Sequence, residues 1–148
     1  MLVIVPARGG SKGLPQKNVI LLDGVPLIQH TLVSALRAKS VNRVIVSTDD
    51  DEIASIALAV DGVEVPFMRP TELASDDASA VDVYLHALDW IDANEAEGIK
   101  DVCVLLPTSP LRLPDDIDGA VSLYRSKSAD AVLSVQKSKP IAWQSSMD

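Results

Sequence analysis

The sequence predicts an α/β fold, a three-layer α/β/α sandwich built on a mostly parallel sheet. Three observations lead there. Short apolar runs at residues 3–5, 44–46 and 102–106 show no polar alternation, the mark of strands buried on both faces. Stretches with apolar residues at helical spacing lie between them, so strand and helix alternate. Polar segments rich in Gly, Pro and charge follow directly on the runs, at the strand ends where open α/β sheets bind ligands.

The chain has 148 residues, 47% of them apolar, enough for one domain with a substantial core. Its net charge of −8 argues against nucleic acid or an anionic membrane as a partner, since both call for a basic face. The single cysteine permits no internal disulfide and suits a reducing cytoplasm. The opening residues lack the basic region of a signal peptide, and no apolar run approaches membrane-spanning length.

The first strand is expected at residues 3–5. Pro6-Ala7-Arg8-Gly9-Gly10-Ser11-Lys12-Gly13-Leu14-Pro15-Gln16-Lys17-Asn18 follows at once. Its three glycines allow close backbone approach and positive φ. Arg8, Lys12 and Lys17 concentrate positive charge in an acidic chain. Backbone N–H groups and cations together make an anion cradle; the bland alternative is a tight, solvated turn. The spacing matches neither a P-loop nor a Gly-x-Gly-x-x-Gly dinucleotide fingerprint.

Asp23-Gly24 reads as a turn, and Pro26 suits the first turn of a helix over residues 27–38. A second strand at residues 44–47 leads into Thr48-Asp49-Asp50-Asp51-Glu52. Acidic residues there cap the next helix and complement its dipole, which accounts for the cluster without a cation. A third short strand is expected at residues 63–65. A proline-punctuated loop follows, then a long helix capped by Asp76 or Asp77, with Val81, Leu85, Leu88 and Ile91 on its buried face. Within that loop Arg69 reads, by itself, as a surface residue beside a rigid turn.

The run at residues 102–106 is apolar throughout and is expected to be a central strand. The hydroxyls of Thr108 and Ser109 after it can satisfy loop backbone. Asp115 is expected to cap a helix with Ile117, Val121 and Tyr124 inward, and residues 131–135 to form a fifth strand. His30 and His86 fall on helices away from the strand ends and read as packed or surface residues rather than catalysts. Cys103, within a strand, reads as a small buried hydrophobe. No Ser-His-Asp order and no His/Cys metal-ligand spacing is present.

Three of these segments resemble the motifs of one family, the acylneuraminate cytidylyltransferases, which comprise the CMP-sialic acid synthetases and their relatives acting on legionaminic and pseudaminic acids. Pro6 to Asn18 is similar to the nucleotide signature, Arg69-Pro70-x-Glu72-Leu73-Ala74-x-Asp76 to the second motif, and Pro107-Thr108-Ser109-Pro110-Leu111-Arg112 to the third. Leu106 stands where the family usually has Gln, a residue that helps contact the acceptor sugar. The resemblance implies a Rossmann-like sheet of the nucleotide-diphospho-sugar transferase type, covering residues 1–148 as a single nucleotidyltransferase domain incomplete at its C-terminal end.

The resemblance also implies a reaction: CTP and an acidic nine-carbon sugar give CMP-sugar and pyrophosphate. Arg8, Lys12 and Lys17 would be catalytic. Ala7, Arg8, Gly9, Gly10, Ser11, Lys12, Lys17 and Asn18 would hold the nucleotide, with Arg69 and the backbone at Ala78 and Ala80 reading its base. Thr108, Ser109 and Arg112 would meet the acidic sugar. Mg2+ would be the cofactor, with its ligands unassigned here. Lys137, Lys139 and Trp143 fall where the family carries an acceptor loop. A homodimer is implied if the family's C-terminal segment exists.

Overall fold

The computed structural model describes residues 1–10, 13–96 and 98–135. Expectations for Ser11, Lys12, Lys137, Lys139 and Trp143 lie outside the described residues.

The chain runs through β1 (Leu2–Pro6), β2 (Leu21–Leu22), β3 (Val25–Pro26), α1 (Leu27–Arg37), β4 (Arg43–Ser47), α2 (Asp51–Leu58), β5 (Val63–Glu64), α3 (Ala80–Asn94), β6 (Val102–Val104) and α4 (Pro114–Lys127). The main sheet is parallel, in the order β5-β4-β1-β6. β2 and β3 pair as a small antiparallel hairpin over Asp23 and Gly24, which both take left-handed backbone, φ 53° and 75°. Such a turn matches the twist of a two-stranded ribbon.

Alternation along the strands sorts the core into two layers. Val3, Val5, Val44 and Val46 pack with Ile28, Leu32 and Ala35 of α1, Ile53 and Ala57 of α2, and Ile117 of α4. Leu2, Ile4 and Ile45 face the other way, against Ala87 and Ile91 of α3 with Phe67 and Trp90 beside them. Among the described residues the sandwich therefore has α1, α2 and α4 on one face and α3 on the other, as the strand–helix alternation predicts.

Four local expectations need correction. Residues 131–135 form no strand and are mostly exposed; an apolar run becomes a strand only where a ladder receives it. β6 is shorter than expected and lies at the edge of the described sheet, not its centre, which leaves Val102 exposed. α3 is capped by Ser79, whose Oγ accepts from Val81 N at 3.2 Å, because Asp76 is drawn away to Arg8. Starting there, the helix buries Val83, Ala87 and Ile91, while Val81 and Leu85 are 59% and 49% exposed. Asp115 does not cap α4; the Asp116 carboxylate accepts Leu113 N–H at 2.8 Å.

Replacing Ser79 with alanine removes the cap and is expected to cost about 1 kcal/mol in urea unfolding. The same change at Asp77 should cost less than about 0.5 kcal/mol. His30 and His86 are packing residues: His30 Nε2 lies 2.9 Å from Leu22 O, and His86 meets the Phe67 ring edge-on at 4.9 Å.

Candidate active site

The carboxyl ends of β1, β4 and β6 lie side by side, and the end of β4 holds its neighbours together. Ser47 is fully buried and pairs with Pro6 across the sheet. Its carbonyl accepts the Ala7 N–H at 3.0 Å, at the root of the glycine-rich loop. The same carbonyl accepts from Arg69 Nη2, and Ser47 Oγ accepts from Arg69 Nε at 3.1 Å. Arg69 N donates to Thr48 O at 2.7 Å. One strand end thus fixes the roots of both the first and second motifs.

Arg69 is not the surface residue its isolated context suggests; it is 6% exposed. Burying a charged group costs several kcal/mol unless hydrogen bonds replace its water. Here Ser47 supplies them. Burial pulls the Arg69 guanidinium below its usual pKa, Asp49 opposes that shift, and Arg8 adds to it.

Arg8 crosses from the first motif to the second. Its Nη1 donates to Ser75 O at 3.0 Å and its Nη2 to Asp76 Oδ1 at 2.6 Å. Asn18, also buried, donates from Nδ2 to Arg8 O at 2.9 Å, closing the glycine-rich loop at its base. Lys17 sits in a single 3-10 turn, Lys17–Val19, entered by Gln16 in left-handed conformation at φ 51°.

Gly9 and Gly10 do not use the positive φ that glycine allows. Gly9 is required for space: a Cβ there would lie 2.9 Å from Asp50 Cβ, while its N–H donates to Asp49 Oδ1 at 3.1 Å. Asp50 is fixed because its own Oδ1 accepts from Ile53 N at 2.9 Å, capping α2. Gly9→Ala is expected to destabilise the fold by about 1–3 kcal/mol in urea unfolding. In the double variant with Asp50→Gly, which removes the facing Cβ, the combined loss is expected to be smaller than the sum of the two single losses. Gly10 and Gly13 have open space around them.

A cavity of about 300 Å3 opens between these elements, lined by Arg8, Arg69, Ala78, Ala80, Tyr84 and Leu106 among others. It gathers residues from the first two sequence motifs and Leu106, which stands just before the third. Thr108, Ser109 and Arg112 are not part of it. They line a separate groove of about 790 Å3 on the α4 side of β6, with Cys103 and Asp116. Ser34 Oγ holds that loop by donating to Arg112 O at 2.7 Å. Burial lowers the Arg112 guanidinium pKa and raises that of the Cys103 thiol, so Cys103 is poorly suited to act as a nucleophile.

The sequence reading missed Ser47, Thr48, Asp49 and Tyr84. A signal for Ser47 was present: it is the polar residue that ends an apolar strand run, at the edge where α/β sheets bind ligands.

A parallel sheet with a glycine-rich cationic loop after its first strand and a buried arginine beside it defines an α/β domain of the nucleotidyltransferase type. The chain belongs to the cytidylyltransferase family, whose model matches residues 2–141. It is 36% identical, over all of its length, to the CMP-N,N'-diacetyllegionaminic acid synthase of Legionella pneumophila, covering 63% of that protein. It is 37% identical over 139 residues to the N-acylneuraminate cytidylyltransferase of Escherichia coli O18:K1:H7, covering 93% of this chain and 32% of the relative. Among solved structures, a CMP:2-keto-3-deoxy-manno-octonic acid synthetase complexed with CTP aligns with TM-score 0.68 and 27% identity, over 86% of this chain and 48% of that one. The chain thus spans between about a third and two thirds of these relatives.

Among the described residues no group of three or more His, Cys, Asp or Glu side chains is placed to hold a metal. No helix among them is long and apolar enough to cross a membrane.

Proposed function

We propose that this chain carries the nucleotide-binding part of a cytidylyltransferase that activates an acidic nine-carbon sugar of the sialic, legionaminic or pseudaminic type with CTP. The anomeric hydroxyl of the sugar attacks the α-phosphorus in line, and pyrophosphate leaves. Catalysis of this kind is chiefly positioning and charge stabilisation. Arg8, Lys12 and Lys17 offset the charge that grows on the pyrophosphate. Ser11 and the backbone N–H of Gly10 bond its oxygens, while Ala7, whose N–H is held by Ser47 O, fixes the root of the loop. Gly9 contributes its N–H once Asp49 yields it. Asn18 steadies the loop. Arg69 donates to cytosine O2 and N3, and backbone at Ala78 and Ala80 meets the N4 amine. Thr108, Ser109 and Arg112 line a separate groove and have no contact with the reacting phosphate in this reading.

The observation that carries this reading is that one small cavity receives Arg8 from the first motif and Arg69 from the second. A nucleotide needs those two contacts at once, one for phosphate and one for base. Mg2+ keeps water and phosphate oxygens as ligands readily. The described side chains form no cage for it, so no step is assigned to it. A cytoplasmic location and a homodimer belong to the same reading.

Calorimetric titration tests it. CTP is expected to bind at least about tenfold more tightly than UTP, because uracil presents N3–H where cytosine presents an acceptor. Equal affinities would fit another sugar nucleotidyltransferase of this fold. The other outcome is a nucleotide-binding chain without turnover. Binding of CTP with no pyrophosphate release from any of the three sugar acids would select it.

A further inference from the structure

We infer that Ser47 is a positioning residue for Arg69, and through Arg69 for the choice of pyrimidine; the inference rests on the CTP reading above. The guanidinium carries donors only, so which of its edges faces the cavity decides what it can read. Ser47 Oγ takes Nε and the Ser47 carbonyl takes Nη2. With both held on the sheet side, Nη1 is the remaining arm of the fork on a side chain that lines the cavity. A fixed row of donors there suits the O2 and N3 acceptors of cytosine and meets the N3–H of uracil with a like group. Ser47 itself is fully buried and does not line the cavity, so its influence passes through Arg69.

The hydroxyl separates this role from ordinary packing. Ser47→Ala keeps the carbonyl bond and the strand but releases Nε, so the guanidinium can pivot about its one remaining anchor. Ser47→Thr restores a hydroxyl on a side chain that strands accept.

Two measurements on wild type and both variants test the inference. In proton–nitrogen spectra of the free protein, the Arg69 Nε–H is expected to exchange slowly in wild type and in Ser47→Thr. In Ser47→Ala it should exchange about tenfold faster. In competition between CTP and UTP, Ser47→Ala is expected to lower the preference for CTP about tenfold, mainly by weakening CTP, and Ser47→Thr to recover it. If the two affinities fall together in step with Tm, Ser47 is a packing residue and the inference is overturned. It is overturned equally if the Arg69 Nε–H is as labile in wild type as in Ser47→Ala, a result that leaves CTP binding untouched. Wild type that protects the Nε–H but binds no CTP defeats the nucleotide reading, and the pyrimidine role of Ser47 with it.

Discussion

Arg69→Met is expected to raise the CTP dissociation constant about a hundredfold while leaving Tm within about 4 °C of wild type. The two halves of that result have different causes. Contacts from a charged donor contribute about 1.5–3 kcal/mol, and about 1.4 kcal/mol is a factor of ten in affinity. Stability is another matter. The guanidinium is buried, and its hydrogen bonds to Ser47 roughly repay the desolvation it suffered. Methionine has similar length, fills the space and has no charge to desolvate. The Ser47 carbonyl keeps its bond from Ala7, so the change leaves no orphaned backbone acceptor there. A stability change within about 1 kcal/mol corresponds to a few degrees in a domain of this size. Calorimetry for CTP and thermal unfolding without ligand check the two halves. A loss of stability of several kcal/mol would make Arg69 a strut of the fold and remove the case for it as a base reader.

Arg8→Ala is expected to cut turnover of CTP with an acidic sugar about 100- to 1,000-fold, the range found when one pre-placed donor to developing charge is removed. Arg8 and Asp76 are each about a third exposed, so the ion pair adds less than about 1 kcal/mol to stability and the variant should fold normally. The structure adds a second consequence. Arg8 also holds the carbonyl of Ser75, so the second-motif loop loses its tie to the first strand. CTP binding should therefore weaken along with turnover. Steady-state kinetics together with calorimetry separate these effects, and unchanged kcat/KM would remove Arg8 from the reaction.

The layers of the fold were legible because they follow from apolar periodicity, and the strands of the main sheet fall within a residue or two of their expected places. The phase of α3 was not legible. Val81, Leu85, Leu88 and Ile91 are as well spaced as Val83, Ala87 and Ile91; Ile91 is buried as expected and Leu88 packs beside it, while the choice between Val81 with Leu85 and Val83 with Ala87 depends on where the chain leaves the 71–79 loop. That exit is set by Arg8 drawing on Asp76 and Ser75, a contact between residues far apart in sequence. The edge position of β6 was hidden for a similar reason: an apolar run states that a strand is buried by something, not by what.

In the site, the loop chemistry was visible as glycine and cations, and the burial of Arg69 was not. Surroundings of Pro66, Pro70 and polar residues look like surface, and only the parallel sheet brings Ser47 beneath the side chain. The division of the third motif was likewise out of reach. Leu106 and Thr108 are two residues apart, yet they face different cavities, because successive turns fold residues 106–112 back over α1.

The carbonyl at position 47 belongs to the peptide backbone, and every amino acid carries one. No single substitution there can delete the oxygen that both motifs share, so the shared acceptor survives any point mutation at position 47. Inheritance can vary only the hydroxyl beside it. Drift at this position would adjust how the cleft discriminates between bases long before it could pull the cleft apart.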